Sequence, residues 1–242
     1  NFISNRFKDD YFKFMNYGYY NEELDISLEK NDELERYPIQ LYHHLCIQTE
    51  LKDKIIVEVG SGRGGGANFI ARYHSPKLIT GVDLSPNAVS LCNESYNLDN
   101  LNFLVGDSAN LPFDDNSVDV VVNVESSHCY PSITDFISEV CRVLKPGGHF
   151  LYCDLVIEST LDDHLNKLKN NSLKDFQHVD ITENIIKASE LMTDDRNKII
   201  NKVNSSFLRK VLKSFASVKG SKIYKSFVDR HYRYVSLVAE KK

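Results

Sequence analysis

The sequence predicts an α/β protein with a doubly wound, mostly parallel β-sheet. The chain has 242 residues, of which 42% are hydrophobic, and this is enough to form the core of one domain. From Lys54 onward, short apolar runs rich in β-branched residues alternate with helical stretches. Each run is apolar on both faces, as expected for a strand covered by helices on both sides. The alternation repeats five times, which indicates a parallel sheet between two helical layers.

The N-terminal part, residues 1–53, is predicted to be a helical segment that packs against the main domain. Residues 1–37 are rich in aromatic and then in acidic side chains. A helix is expected from Pro38 to about Glu50, because proline suits the first helical turn and Leu41 and Leu45 follow at helical spacing. The main domain is expected to cover residues 54–242.

Five strands and three helices are expected in the first part of the main domain. Ser85-Pro86 opens the second of these helices, and the segment 145–148 (KPGG) closes the third. The strands are predicted at 55–59, 78–83, 101–107, 118–124 and 149–156, and the helices at 65–73, 86–96 and 132–144.

The rest of the chain predicts a helical lid and two more strands. Residues 157–213 are polar and helical in character, with Leu, Ile and Phe interleaved among charges. Strands are predicted at 215–219 and 231–239. Strands joined by a short connection at the C-terminal edge of a sheet favour antiparallel pairing.

Composition predicts a cytoplasmic protein with no metal site and no membrane span. No run of about 18 apolar residues occurs, and residues 1–10 lack the pattern of a signal peptide. The five cysteines are scattered without C-x-x-C spacing, so neither a zinc site nor a disulfide framework is expected. His164, His178 and His231 have no metal-ligand spacing with carboxylates. The oligomeric state is left open.

The charge is unevenly distributed along the chain. The net charge is −5, but from Arg196 onward there are 13 Lys and Arg residues against 2 Asp and Glu residues. Such asymmetry occurs in proteins that bind nucleic acids or anionic membranes. Here the basic residues alternate with apolar ones at strand and helix spacing, which favours a solvated outer face. No Asn-Pro-Pro-Tyr/Phe or Asp-Pro-Pro-Tyr/Phe motif follows the fourth strand, so a nucleic-acid partner is not expected.

A glycine-rich segment, residues 58–66, predicts a nucleotide-like ligand. It lies between the first strand and a helix, where glycines let the chain turn sharply and let a ligand approach the backbone. The helix N-terminus adds unpaired N–H groups. NAD-binding and phosphate-binding proteins use similar turns, so this segment alone leaves the ligand open.

Two aspartates narrow the choice of ligand. Asp83 ends the second strand about 20 residues after the glycines, where a carboxylate can accept both ribose hydroxyls of an adenosine. Asp107 ends the third strand, where it can meet the exocyclic amine of an adenine. Three successive strands thus end in polar groups at the edge where doubly wound proteins bind ligands.

Four motifs resemble those of a known family. Over residues 54–155 the chain is similar to the class I S-adenosylmethionine-dependent methyltransferases, in VEVGSGRGG, GVDLSPNAV, GDSANLPFDDNSVDVV and EVCRVLKPGG. The resemblance implies S-adenosylmethionine as cofactor and a Rossmann-like, seven-stranded sheet whose last strand is antiparallel. It places Asp83 at the ribose and the methionine part near the first glycines. The expected cofactor-contacting residues are Glu58, Gly60, Ser61, Gly62, Asp83, Leu84, Asp107, Ser108, Ala109, Asn123, Val124, Glu125 and Tyr20.

Two shorter segments resemble one group within this superfamily. NVESSHCYP (123–131) and FMNYGYY (14–20) are similar to the phthiotriol and phenolphthiotriol dimycocerosate methyltransferases and the fatty-acid O-methyltransferases. The resemblance implies O-methylation of a hydroxyl or carboxyl on a hydrophobic small molecule. It also implies that residues 1–53 and about 157–213 form the lid over this acceptor and contribute to its pocket. C-methylation of a terpenoid-like acceptor is the alternative, as is a cofactor-binding role without methyl transfer.

Several side chains near the expected site have two open roles. His128 is a candidate general base, since an imidazole titrates near neutral pH, or it orients its loop. Glu125 either holds the cofactor's ammonium group or caps the following helix. Tyr17, Tyr19 and Tyr20 either close over the sulfonium charge or pack the N-terminal segment onto the core.

Overall fold

The computed structural model describes residues 13–169, 172–202, 209 and 217–242. These residues form a seven-stranded sheet in the order β3-β2-β1-β4-β5-β7-β6. β7 runs antiparallel to both of its neighbours, whereas the pairs among the first five strands are parallel. The strands are β1 (Ile55–Val59), β2 (Leu78–Asp83), β3 (Leu101–Val105), β4 (Val118–Val124), β5 (Leu144–Ile157), β6 (Leu173–Asp180) and β7 (Tyr232–Lys241). The predicted doubly wound fold with an antiparallel last strand is confirmed.

Helices cover both faces of this sheet. Three single-turn 3-10 helices, at Glu33–Glu35, Ser127–Cys129 and Glu158–Thr160, add to them. In the described residues the α-helices are α1 (Arg36–Cys46), α2 (Gly65–Tyr73), α3 (Pro86–Ser95), α4 (Ile133–Val143), α5 (Leu161–Leu168), α6 (Thr182–Asn201) and α7 (Lys222–Val228). None of the helices in this described part has the length and apolar character of a membrane span.

The sheet separates two hydrophobic cores, because successive strand residues point to opposite faces. In β1, Ile56 packs into the core beneath α1, α2 and α3, whereas Val57 packs into the core beneath α4 and α5. β4 repeats the pattern with Val120 and Val121. This two-sided burial explains why the central strands are apolar on both faces.

The predicted element bounds match the structure closely in the centre of the sheet. β1, β2, β4 and α2 have the predicted bounds, while β3 ends two residues earlier, at Val105. β5 begins at Leu144 instead of residue 149, and α1 begins at Arg36 and ends at Cys46. The seventh strand lies where it is predicted, within two residues at its end.

The predicted sixth strand at 215–219 is wrong. The strand lies at Leu173–Asp180, residues 217–219 are not in a strand, and residues 215–216 fall outside the described part. β6 is an edge strand that pairs with β7 alone and exposes most of its side chains, so its sequence LKDFQHVD carries no apolar signal. Polar side chains are typical of edge strands, where they discourage pairing with another chain.

The N-terminal and lid segments are less helical than predicted. Residues 13–32 contain no helix, and the aromatic residues of 1–12 lie outside the described part. Within 157–213, α5 and α6 flank β6, so this segment supplies a strand of the sheet as well as helices. The division at residue 54 and the lid role stay predictions.

Candidate active site

A cavity of about 350 Å³ lies at the carboxyl ends of β1, β2 and β4 and the loop after β3. Parallel strands of a doubly wound sheet bring their following loops to one edge, and ligands bind there. Its wall combines these loops with the N-terminal segment, namely residues 13–16, Tyr42, 59–63, 65–66, 82–84, 106–108, 124–126 and 129–131.

The glycine-rich turn gives this cavity its floor. Gly60 has a φ of +77°, and a Cβ built on it would lie 2.3 Å from Ser126 Oγ. A Cβ on Gly66 would lie 2.1 Å from a ring carbon of Tyr42. Only glycine permits both the left-handed backbone and the close approach of neighbouring groups.

Two aspartates lie in the cavity wall, one at the end of β2 and one after β3. Asp83 Oδ2 accepts a hydrogen bond from Gly62 N at 2.8 Å, and its Oδ1 accepts one from Ser85 N at 2.9 Å. Asp107 Oδ1 accepts from Ala109 N at 2.9 Å. These bonds orient the carboxylates, and since each carboxylate oxygen has two lone pairs, both groups keep capacity for a ligand.

Glu125 is a buried carboxyl in the cavity wall, directly after β4. Its Oε1 accepts hydrogen bonds from Tyr17 N at 2.7 Å and from Tyr234 Oη at 2.6 Å. Burial raises the pKa of Glu125 to about 8, although these bonds lower it in part. Its φ of +47° puts the backbone in the left-handed region, so the carboxyl is held by tertiary contacts.

Glu58 is a second buried carboxyl, placed behind the glycine-rich turn. Tyr42 Oη donates to its Oε1 at 2.6 Å, and Oε2 has no hydrogen-bond partner among the described residues. Burial raises the pKa of Glu58 to about 7. Ser61 Oγ, in the cavity wall, is also buried and has no hydrogen-bond partner among the described residues.

His128 and Asp154 form a hydrogen-bonded pair beside this cavity. His128 Nδ1 lies 2.7 Å from Asp154 Oδ1, and the His128 side chain is 38% exposed whereas that of Asp154 is fully buried. The hydrogen bond with Asp154 raises the pKa of His128 above its usual value. His128 does not line the cavity itself, but the next residue, Cys129, does.

The structure brings together most, but not all, of the predicted cofactor-contacting residues. The cavity wall contains Gly60, Ser61, Gly62, Asp83, Leu84, Asp107, Ser108, Val124 and Glu125. Glu58, Ala109 and Asn123 lie outside the wall. Asn123 is fully buried, and its Nδ2 donates to Val59 O at 2.9 Å, so it braces the turn after β1.

Tyr20 is the predicted contact that the structure places elsewhere. It lines a separate, open surface depression with Asn184 and Lys187. Its ring packs 6.1 Å from that of Tyr37, and its backbone oxygen accepts from Asn184 Nδ2 at 2.8 Å. The chain therefore turns away from the cavity after Tyr17, whose backbone N is the one that meets Glu125.

Other residues of this site are absent from the predicted contacts. Asp154 could have been found from the sequence, because it is the one acidic residue within the apolar run 149–156. The N-terminal segment is expected at the acceptor pocket, but which of its residues line this cavity depends on how residues 13–16 cross it. The wall residues outside the predicted contacts are Lys13, Phe14, Met15, Asn16, Tyr42, Val59, Arg63, Gly65, Gly66, Val82, Gly106, Ser126, Cys129, Tyr130 and Pro131.

Known proteins with this arrangement identify the family. The family model described as a methyltransferase domain matches residues 57–152. A fatty-acid O-methyltransferase of Mycolicibacterium smegmatis is 36% identical over 219 residues, which is 90% of this chain and 80% of that protein. The chain belongs to the S-adenosylmethionine-dependent methyltransferases. This methyltransferase is also 34% identical, over 91% of its length and 82% of the relative's, to a phthiotriol/phenolphthiotriol dimycocerosates methyltransferase of Mycobacterium leprae.

Solved structures share the fold of this methyltransferase. A protein described as a sarcosine dimethylglycine methyltransferase, from Galdieria sulphuraria, superposes with a TM-score of 0.77 at 16% identity, covering 95% of this chain and 94% of that one. Other structures of this fold carry S-adenosylmethionine or S-adenosylhomocysteine. The resemblance seen in the sequence motifs is thereby confirmed, and with it the cofactor.

The cavity suits this cofactor on its own chemistry. Its volume of about 350 Å³ is within the range of small-molecule sites. It offers carboxylates for hydroxyl and amine groups at Asp83 and Asp107, a buried carboxyl at Glu125 and a glycine floor that a Cβ would fill.

Proposed function

We propose that this methyltransferase methylates an oxygen atom, in a hydroxyl or carboxyl group, of a hydrophobic small molecule. The observation that carries the proposal is the His128–Asp154 pair beside the cofactor cavity, at 2.7 Å. An alcohol acceptor must lose a proton during methyl transfer, and a histidine oriented by a carboxylate is suited to accept it. The 36% identical fatty-acid O-methyltransferase supports an apolar acceptor with an oxygen nucleophile.

The tautomer of His128 follows from its contacts. Asp154 accepts at Oδ1, so Nδ1 of His128 carries the proton and Nε2 presents a lone pair. As the acceptor oxygen forms its bond to the methyl carbon with one lone pair, its proton passes to Nε2. The cofactor, when bound, supplies an electrophilic methyl group on a sulfonium that leaves as a neutral thioether. A carboxylate acceptor is already ionised and needs positioning only.

The residues of the cavity wall are proposed to hold the cofactor. Asp83 suits the ribose hydroxyls, Asp107 with Ser108 the adenine, and Glu125 the ammonium group. The first two carboxylates lie at the ends of the adjacent strands β2 and β3, and Glu125 follows β4, on the other side of β1 in the sheet. Glu58 supports the methionine end indirectly, through its position behind the glycine-rich turn.

The N-terminal segment is proposed to exclude water from the reaction. Phe14 and Met15 line the cavity, and a Cβ on Gly65 would lie 2.5 Å from the backbone oxygen of Lys13. This segment therefore covers the methionine end of the site. Together with residues 157–213 it is proposed to form the acceptor pocket. Exclusion of water strengthens the electrostatic interactions within such a site.

The proposed setting is the cytoplasm, with no nucleic-acid partner. All five cysteines are free thiols, four of them buried, as suits a reducing compartment.

Product analysis tests the proposed reaction. The protein is incubated with methyl-labelled S-adenosylmethionine and, separately, with a long-chain fatty acid, a long-chain alcohol and an isoprenoid alcohol. An O-methyl signal by NMR on the fatty acid or alcohol is expected. A methyl group bonded to carbon would establish the C-methylation alternative, and cofactor binding without a product from any acceptor class would favour a binding role.

Two substitutions connect the reaction to the site. Asp83→Asn is expected to weaken S-adenosylhomocysteine binding at least tenfold by calorimetry. His128→Gln is expected to lower kcat about 100-fold with alcohol acceptors, the usual contribution of a general base, while cofactor affinity is kept. His178→Gln, on the exposed face of β6, is the control. Full alcohol methylation by His128→Gln would contradict the role of His128.

A further inference from the structure

Asp154 is the centre of a hydrogen-bond network that extends well beyond His128. Its Oδ2 accepts from Ser127 Oγ at 2.6 Å and from His128 N at 3.0 Å, and its Oδ1 also accepts from Leu155 N at 2.8 Å. The carboxyl is fully buried in β5. A buried carboxylate with this many donors is held in one orientation.

The network continues from Ser127 to the helical layer. Ser127 Oγ lies 2.9 Å from Tyr152 Oη, and Tyr152 Oη lies 2.7 Å from His164 Nε2. Ser127 and Tyr152 are buried, whereas His164 is half-buried on α5. The chain of bonds thus joins the candidate base on the loop after β4 to a histidine in the segment after β5.

The direction of every bond in this chain is fixed. A hydroxyl has one hydrogen, and that of Ser127 is used on Asp154, so Ser127 Oγ accepts from Tyr152. The hydrogen of Tyr152 is then used as well, so its oxygen accepts from His164 Nε2–H. Every hydrogen bond in this chain is therefore donated towards Asp154, and the first donor is His164.

We propose that His164 is a positioning residue for methyl transfer, which acts through Tyr152, Ser127 and Asp154 to set the proton affinity of His128. This rests on the proposed function, in which His128 is the base. Aligned hydrogen bonds polarise one another, so the His164 donor strengthens the bonds that share the charge of Asp154. Without it, more negative charge stays on Asp154 Oδ1, and the proton on His128 is held more tightly.

The charged surroundings of the two histidines fit this arrangement. Glu125 faces His128 besides Asp154, and Asp163 and Lys167 face His164. Burial lowers the pKa of His164, so its ring is neutral at physiological pH and carries one proton, as donation from Nε2 requires. The ring of Tyr152 lies 6.0 Å from that of His164, so packing holds the pair together as well.

Titration of His128 in the intact, ligand-free protein tests the proposal. The ring is followed by NMR, and kcat/KM is measured against pH with an alcohol acceptor. In His164→Leu the midpoint of His128 is expected to rise by about half a pH unit, with the acidic limb of kcat/KM moving by the same amount. His164→Gln places an amide donor near the position of Nε2 and is expected to restore both values.

A second variant guards against misfolding of the first. Tyr152→Phe removes the donor to Ser127 and is expected to raise the same midpoint. An unchanged His128 midpoint in Tyr152→Phe and in His164→Leu would overturn the proposal, as would equal shifts in His164→Gln and His164→Leu. A shifted midpoint with an unmoved kinetic limb would support the coupling but overturn the role of His128 as base.

Discussion

At the scale of single residues, two buried carboxyls distinguish this site. Glu125 lines the cavity and Glu58 lies behind its floor, and burial raises the pKa of both towards or above neutrality. A carboxyl whose pKa is about 8 is mostly protonated at pH 7. It becomes a useful partner for a cation only when that proton leaves.

We expect cofactor binding at pH 7 to release up to one proton from Glu125. The ammonium group of the bound cofactor favours the ionised carboxylate and lowers its pKa, so a group protonated in the free protein loses its proton. Above the free-protein pKa of about 8 the carboxyl is already ionised, and the release should vanish. Calorimetric titration with S-adenosylhomocysteine, in two buffers of different ionisation enthalpy chosen for each of pH 7 and pH 9, measures it.

Glu125→Gln is expected to remove the dependence of the binding enthalpy on buffer. Glu58→Gln is the matched variant, because burial raises the pKa of Glu58 as well but the residue does not line the cavity. If the released proton disappeared in Glu58→Gln and persisted in Glu125→Gln, Glu58 would be its source, and the ammonium site proposed at Glu125 would be wrong.

At the scale of elements, the junction of β6, α6 and β7 ties the edge of the sheet to the site. Thr182 is fully buried at the start of α6, and its Oγ1 donates to Asp180 and accepts from Tyr234 N at 2.8 Å. Tyr234 in turn donates to Glu125 from its hydroxyl. The Thr182 hydroxyl therefore links Asp180 of the edge strand to Tyr234, which in turn contacts Glu125 in the cavity wall.

Thr182→Val is expected to destabilise the protein by about 1–3 kcal/mol. The valine has nearly the same shape, but it leaves Tyr234 N buried without an acceptor, and an unsatisfied buried donor carries that cost. Chemical denaturation measures the change. Thr160→Val is the control, because the Thr160 hydroxyl donates to a carbonyl at an exposed site, and a change within about 0.5 kcal/mol is expected there. Equal effects of the two substitutions would count against a structural role for the buried hydroxyl.

At the scale of the whole molecule, acidic partners from elsewhere in the chain offset part of the positive charge of the basic C-terminal part. Lys219 Nζ lies 3.2 Å from Glu190, and Arg233 Nη1 lies 2.7 Å from Asp180. Arg230 pairs with Glu183 on α6. The charge asymmetry of the sequence is therefore reduced in three dimensions, since acids of the middle part lie beside bases of the last part.

We expect no specific binding of nucleic acid by this surface. Fluorescence anisotropy with a labelled DNA duplex at about 0.15 M salt should give affinity no tighter than the non-specific range of roughly 10⁻⁴ to 10⁻⁶ M, because acidic partners lower the positive charge that this surface offers to phosphates. Submicromolar binding with a steep salt dependence would instead show that the basic residues form a nucleic-acid surface.

The elements that the sequence predicts well are those whose pattern is local. The central strands are buried on both faces, so their bounds are written in continuous apolar runs, and the glycine turn and strand-end aspartates follow them at fixed spacing. β6 could not be predicted in this way, because an edge strand with one partner needs no apolar faces. The position of Tyr20 could not be predicted from a local pattern either, since it depends on the path of the N-terminal segment.

The sequence by itself determined the doubly wound sheet, the cofactor, and the glycine-rich turn and strand-end carboxylates of the cavity wall, because strand burial and turn chemistry are encoded in neighbouring residues. Only the tertiary structure decided which distant groups meet. Asp154 reaches His128 from another strand, and Tyr234 and Tyr17 reach Glu125 from opposite ends of the chain. These contacts join residues 26 to 109 positions apart, and no local pattern specifies them. The contacts of Asp154 and Tyr234 arise because the sheet order places β4, β5 and β7 side by side, and that of Tyr17 arises from the path of the N-terminal segment.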